Sequence, residues 1–257
     1  MRGLKRAALF IPYIASLSIA VFPSLVEAQK ASAAIFDVSS VKTSPPGTSQ
    51  GSIRRLDIGT VSITGMTIRD LIGLFFHVRP YQISGGPAWV AKERFDIVGK
   101  DSTISGGEPK KLDPAAWSAA MEANDEKMRG LLADRFALKF HHENRVMPVF
   151  LLVPDKGANF VAVPCSASYR LQHGWVDGDI RMASLAALLK AEMEAPVQDK
   201  TGLPNCYHLE GRWTTDPDNT SLPQVPTVLH DLGLRLQRAN GDVDILVIDH
   251  LDLPQPD

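Results

Sequence analysis

Apolar positions along the chain fall into short blocks of two periods, separated by stretches rich in Gly and Pro. The clearest helical block is Thr67 to Val78, where Ile68, Leu71, Ile72, Phe75 and Phe76 recur at i, i+3, i+4, i+7 and i+8. Thr67 suits the N-cap and Pro80 the stop. A second helix is predicted from Pro114 to about Asp134, capped by Asp113, with Met121, Met128, Leu131 and Leu132 facing inward. A third starts at Ser184, carries Leu185, Leu188, Leu189 and Met193 on one face, and ends at Pro196. A short fourth helix follows the Pro-rich loop 216–226 and ends near Gly233.

Strands are predicted between these helices. They are Phe36 to Lys42, two short strands or a hairpin from Ile53 to Ile63 around Gly59, Tyr81 to Ile83, Arg94 to Val98, Pro196 to Asp199 and Tyr207 to Trp213. Two stretches are expected to split into strand pairs. One is Phe136 to His142 with Val149 to Pro154, around a turn near Asn144; the other is Leu234 to Arg238 with Val243 to Ile248. Gly85-Gly86-Pro87 reads as a turn that needs positive φ.

The order of elements repeats. Ile68/Leu71/Ile72 match Leu185/Leu188/Leu189, and Phe95-Asp96-Ile97 matches Tyr207-His208-Leu209. Leu138-Lys139-Phe140 matches Leu234-Arg235-Leu236. This predicts an α+β fold of two similar halves, residues 29–160 and 161–257, related by internal duplication. Each half is a leading strand and then helix-strand-strand-helix-strand-strand, with helices packed on mixed or antiparallel sheets.

The N-terminus changes the picture of where the chain works. Arg2, Lys5 and Arg6 precede an apolar run from Ala7 to about Val26, and Val26-Glu27-Ala28 suits cleavage before Gln29. That is the layout of a secretory signal over residues 1–28, with an uncleaved anchor as the alternative. Pro12 and Pro23 make the run short for a span of about 20 residues. Residues 1–28 hold three basic and one acidic residue, so their removal leaves 229 residues with a formal charge of −4. No basic excess attracts nucleic acid. No other segment is apolar enough to span a membrane as a helix, so the expected location is periplasmic or secreted. In such a compartment the isolated pair Cys165 and Cys206 reads as a disulfide, with two buried free thiols as the alternative.

Candidate chemistry is sparse, and no cofactor or metal set is legible. His141-His142-Glu143 is the densest polar cluster, but neighbours on a strand point to opposite faces, so the two imidazoles cannot converge. His208 and Glu210 share a face and read as a surface cross-strand set. Asp249-His250 with Asp252 reads as an exposed tail, and Ser84-Gly85-Gly86 lacks the frame of a nucleophile elbow. Arg135 sits where it could cap a helix end or contact a partner. Trp175, in a Gly/Asp-rich segment, and Trp89 are aromatic candidates for ligand contact.

Several longer motifs carry a resemblance. They are Phe36-Asp37-Val38-Ser39-Ser40-Val41-Lys42, Tyr81 to Trp89, Arg94 to Val98, Leu131 to Lys139, Val197 to Leu203 and Val247 to His250. The chain resembles a family of exported, soil-associated bacterial proteins without established activity, DUF3738. Cys206-Tyr207-His208 departs from the Tyr-Asp common there, so the disulfide would belong to this branch. Similar segments in the family stand in the sensor position behind membrane-embedded metallopeptidase domains. The resemblance and the missing catalytic motifs together imply an extracytoplasmic binding or sensory module for a protein, peptide or envelope component. An enzyme with an unrecognised site, such as a hydrolase, and a structural envelope protein are the other readings.

Overall fold

The computed structural model describes residues 36–55, 59–101, 113–166 and 169–254. The expected signal segment lies outside them. The first sheet has the order β1 (Val38–Thr43), β5 (Arg94–Lys100), β3 (Thr60–Thr67), β2 (Ser52–Arg55), all antiparallel. Two helices cover it, α1 (Ile68–Phe75) and α2 (Pro114–Arg135). The last sheet has the order β7 (Ala162–Val163), β11 (Cys206–Arg212), β9 (Trp175–Arg181), β8 (Arg170–Gln172), again antiparallel. It packs with α3 (Met182–Glu192) and α4 (Val225–Asp231). The α+β expectation therefore holds.

A third sheet joins the two. Its order is β10 (Val197–Asp199), β6 (Lys139–Pro154), β12 (Leu234–His250), β4 (Ile83–Gly85). β6 and β12 pair antiparallel along nearly their full length, whereas β4 lies parallel to β12 and β10 parallel to β6. A 16-residue strand spans about 50 Å. β6 therefore starts beside the first core, just after buried Leu138, and reaches the second core at Leu152. β12 runs back, from Leu234 in the second core to Leu246 and Ile248 in the first. Each core thus contains residues from strands on both sides of position 160.

The helix ends follow local rules. At α1, Asp70 N–H donates to Thr67 Oγ1 at 3.1 Å and Thr67 N–H to the Asp70 carboxylate at 3.3 Å, a complete capping box. At α2, Ala116 N–H donates to the Asp113 carboxylate at 2.9 Å. Of the residues expected inward on α2, Met128, Leu131 and Leu132 are buried and Met121 is half-buried.

Strands β7, β8 and β9 fall where no strand is expected, β9 in a Gly/Asp-rich stretch, α3 starts at Met182 rather than Ser184, and other boundaries differ too. α1 stops at Phe75 rather than Val78, because His77 takes φ 55 and Val78 N–H closes back on the Gly73 carbonyl at 3.0 Å. Tyr81 and Gln82 lie in a 3-10 turn, and the strand starts at Ile83. The two expected turns inside the long strands do not exist: Asn144 pairs with Asp244 in an unbroken ladder. Between the cores one face of the ribbon is open to solvent, with Val146 72% exposed, while the other buries a small cluster of Val149, Val243 and Ile245 against which Met147 and Tyr81 pack. The alternation survives on β12 in Ala239, Gly241, Val243, Ile245 and Val247, but the polar runs Glu143-Asn144-Arg145 and Asn240-Gly241-Asp242 have the residue types of turns and hide the continuity.

Candidate functional site

β8 and β9 form a tight hairpin in which Gln172 pairs with Trp175 across His173-Gly174. Gly174 has φ 70, and a Cβ there would stand 2.8 Å from the Trp213 carbonyl, so the turn requires glycine. Along β9, Val176 and Ile180 point into the second core, which turns Trp175, Asp177 and Asp179 to the outer face. Arg212, Glu210 and His208 of β11 and Arg170 and Gln172 of β8 share that face through the register.

Trp175 is the centre of this face. Its ring lies between strands that carry an arginine on each side, and the guanidinium carbons of Arg170 and Arg212 each stand 3.9 Å from the ring centroid. Such a contact contributes about 0.5–1 kcal/mol at an exposed site. It holds both long side chains in place while leaving their N–H donors unfilled. Neither guanidinium has a hydrogen bond or ion pair with an acceptor among the described residues. With both faces of the indole covered, a ligand meets the arginine donors and the ring edge rather than an open stacking surface.

Beside the ring is a pocket of 330 Å³ lined by His173, Trp175, Glu192, Arg212, Trp213 and Leu222, among others. Its floor is a carboxylate: the Glu192 side chain is 1% exposed. Gly174 N–H donates to Glu192 Oε1 at 2.6 Å, buried Trp213 Nε1–H donates to Oε2, and His173 Nδ1 stands 3.2 Å from Oε1. The carboxylate thus fixes the hairpin turn, the indole of Trp213 and the imidazole at the rim together. Charges nearby are not all matched. Asp179 pairs with His208 at 2.9 Å, but Asp177 faces Glu210 across the strands, a like-charge pair that disfavours the sheet.

The other residues singled out from sequence sit elsewhere. Cys165 and Cys206 are bonded, with Cα atoms 5.2 Å apart, and tie the segment after β7 to β11. Trp89 is half-buried in a 3-10 turn and meets Phe95 edge-on at 6.2 Å, packing on the first core. Arg135, in the last turn of α2, donates to the Ser39 carbonyl at 3.2 Å and anchors that helix to β1. His141 and His142 face opposite ways, to Asp249 and to Asp244, each at 2.9 Å. His250 pairs with Asp252 at 3.0 Å in the exposed tail. Ser84 Oγ accepts from Arg145 at 3.0 Å.

A family model described as "Protein of unknown function (DUF3738)" matches residues 69–251. The chain belongs to the DUF3738 family. No curated protein and no solved structure matches it. The DUF3738 match runs from the first turn of α1 to the end of β12, so it takes in the second core, the central ribbon and the whole Trp175 face, while Phe36, Val41, Val61, Ile63 and Ile68 of the first core lie before it. The leading motif at 36–42 lies before it.

Sequence reading of this DUF3738 chain reached Trp175 and missed its partners. The alternation Trp175-Val176-Asp177-Gly178-Asp179-Ile180 does carry the strand signal, with apolar residues at every second position. Nothing in the sequence marks Glu192, at the end of a helix, as the partner of Gly174 and Trp213. No helix among the described residues is long and apolar enough to cross a membrane.

Proposed function

We propose that this protein is an extracytoplasmic binding or sensory module that recognises a protein, peptide or envelope component through the outer face of β8, β9 and β11. The observation that carries this reading is the Arg170–Trp175–Arg212 stack. Two guanidiniums flank the indole without an acceptor among the described residues, next to two carboxylates, Asp177 and Glu210, that they do not pair with. Planar forks of this kind bind carboxylates bidentately. A partner bearing both signs of charge, as a peptide does, satisfies all four groups. The pocket floored by Glu192 gives such a partner a place to anchor. The Cys165–Cys206 bond supports an oxidising compartment, and with it export.

The same proposal includes internal duplication. The orders β1-β5-β3-β2 and β7-β11-β9-β8 support it, because corresponding strands occupy corresponding places. On that alignment the Trp175–Arg212 pair corresponds to Thr60–Lys100 in the first sheet, so the aromatic clamp belongs to one half only.

The test is a pull-down from envelope lysate with wild-type protein and R170A/R212A side by side, followed by titration of each retained partner. A saturable partner lost from the double variant is expected. Identical retention by both proteins, or turnover of a substrate that a point mutation abolishes, would overturn the reading.

A further inference from the structure

Every one of the seven histidines stands near a carboxylate, and one of them differs from the rest. His141, His142, His173, His208, His230 and His250 approach their partners to 2.9, 2.9, 3.2, 2.9, 2.7 and 3.0 Å. His77 does not close the gap. Its Nε2 stands 3.5 Å from Asp125 Oδ2 and 3.9 Å from Glu122 Oε2. The three ligand atoms lie within 4.8 Å of one another. Three groups at these separations are too far apart to hydrogen-bond well. They are close to the spacing of ligands around a cation. With metal–ligand bonds of about 2.0–2.2 Å, the edges of a tetrahedron are about 3.3–3.6 Å.

The fold holds the trio open from behind. Glu122 and Asp125 are three residues apart on α2 and so share a helix face. Arg129 donates to Glu122 Oε1 at 2.7 Å and also to the Phe75 carbonyl at the end of α1, at 2.7 Å. Arg55 of β2 donates to Asp125 Oδ1 at 3.0 Å. Each arginine grips one oxygen of its carboxylate, and the other oxygen is the one that faces His77. This is how outer partners orient metal ligands. Asp125 is buried, whereas His77 and Glu122 are exposed. His77 also lines a groove of 560 Å³ between α1 and the β2–β3 hairpin, which gives access from solvent.

We propose that His77, Glu122 and Asp125 bind a divalent transition-metal cation, with Zn²⁺ the best fit to one imidazole and two carboxylates. The fourth position stays open to water or to a ligand group. The two arginines oppose the cation, so binding is weaker than at a closed four-ligand site. This inference is independent of the Trp175 face.

The test is calorimetric titration of the full chain with Zn²⁺ alone, repeated with Co²⁺ and read by its visible spectrum. One saturable site per chain is expected, with the Co²⁺ spectrum of a low-coordinate N/O site. H77N should lose it. Asn accepts φ near 55 at least as well as His, so this variant keeps the helix end and its unfolding midpoint without metal. D125N should lose the site as well, and H141N should leave it intact. Absence of saturable binding in wild-type protein, or binding unchanged in a folded H77N, would overturn the proposal.

Discussion

The substitution E192Q tests the account of the pocket most directly, because it changes almost nothing in size. The Glu192 side chain is 1% exposed and accepts one N–H at each oxygen, from Gly174 and from Trp213. An amide has one acceptor oxygen and one NH₂. Whichever way it turns, its NH₂ faces a donor, either the Gly174 N–H or the Trp213 Nε1–H. One hydrogen bond to a charged acceptor is lost, at about 1.5–3 kcal/mol, and a buried donor is stranded at a further 1–3 kcal/mol. Partial relaxation of the hairpin recovers some of this, so the expected destabilisation is about 2–4 kcal/mol. For a domain of this size about 1 kcal/mol moves the midpoint by 2–4 °C, so the melting temperature should fall by roughly 5–15 °C. Urea unfolding of the oxidised protein provides the assay, with an unchanged m-value as the check that the two end states are comparable. W213F removes the second donor, and the E192Q/W213F double variant should lose less than the sum of the singles. An E192Q protein within about 0.5 kcal/mol of wild type would refute the claim that this carboxylate holds the site together.

Reduction of Cys165–Cys206, or the C165S/C206S pair, opens a closure of 41 residues and should cost about 4 kcal/mol on the loop-entropy model, read as the difference between oxidised and reduced unfolding curves. The hydrogen bond that His141 donates to Asp249 raises the His141 pKa above its ordinary 6.5, with desolvation opposing it and Glu143 adding to it. A raised folded value means that this pair stabilises the fold below the unfolded pKa of about 6.5 and that the contribution disappears as pH rises through the folded value. An NMR titration should therefore place the His141 midpoint above 6.5 and bring it down in D249N; a wild-type midpoint at or below 6.5 would contradict the pairing. G85A should destabilise by more than about 1 kcal/mol in thermal unfolding. Gly85 has φ 75, and a Cβ there would stand 2.7 Å from the Ile248 carbonyl, at the parallel seam of β4 and β12.

Local signals in the chain were reliable on the helices, where a buried face imposed a period over several turns. Ile68, Leu71, Ile72 and Phe75 do line the buried side of α1, and Thr67 and Asp113 do cap the helices they precede. The opposite orientation of His141 and His142 and the pairing of the two cysteines were also readable, since one follows from strand geometry and the other from compartment chemistry. The signal failed at the middle of β6 and β12. The polar runs Glu143-Asn144-Arg145 and Asn240-Gly241-Asp242 have the residue types of turns, and the strands run on because each pairs with a partner about 100 residues away and shares one small buried cluster with it.

The candidate sites divide along the same line. Trp175 stood out by residue type, but the Gly/Asp-rich segment around it was not expected to form a strand. Its two arginines come from different strands, and the floor of its pocket comes from the end of α3. His77, Glu122 and Asp125 lie 45 or more positions apart at their first gap and meet because α1 ends against α2. The sequence by itself determined where the helices form and which of their faces are buried, because those depend on neighbours within a few residues. The tertiary structure alone decided which polar groups converge, because that depends on where separate elements end relative to one another.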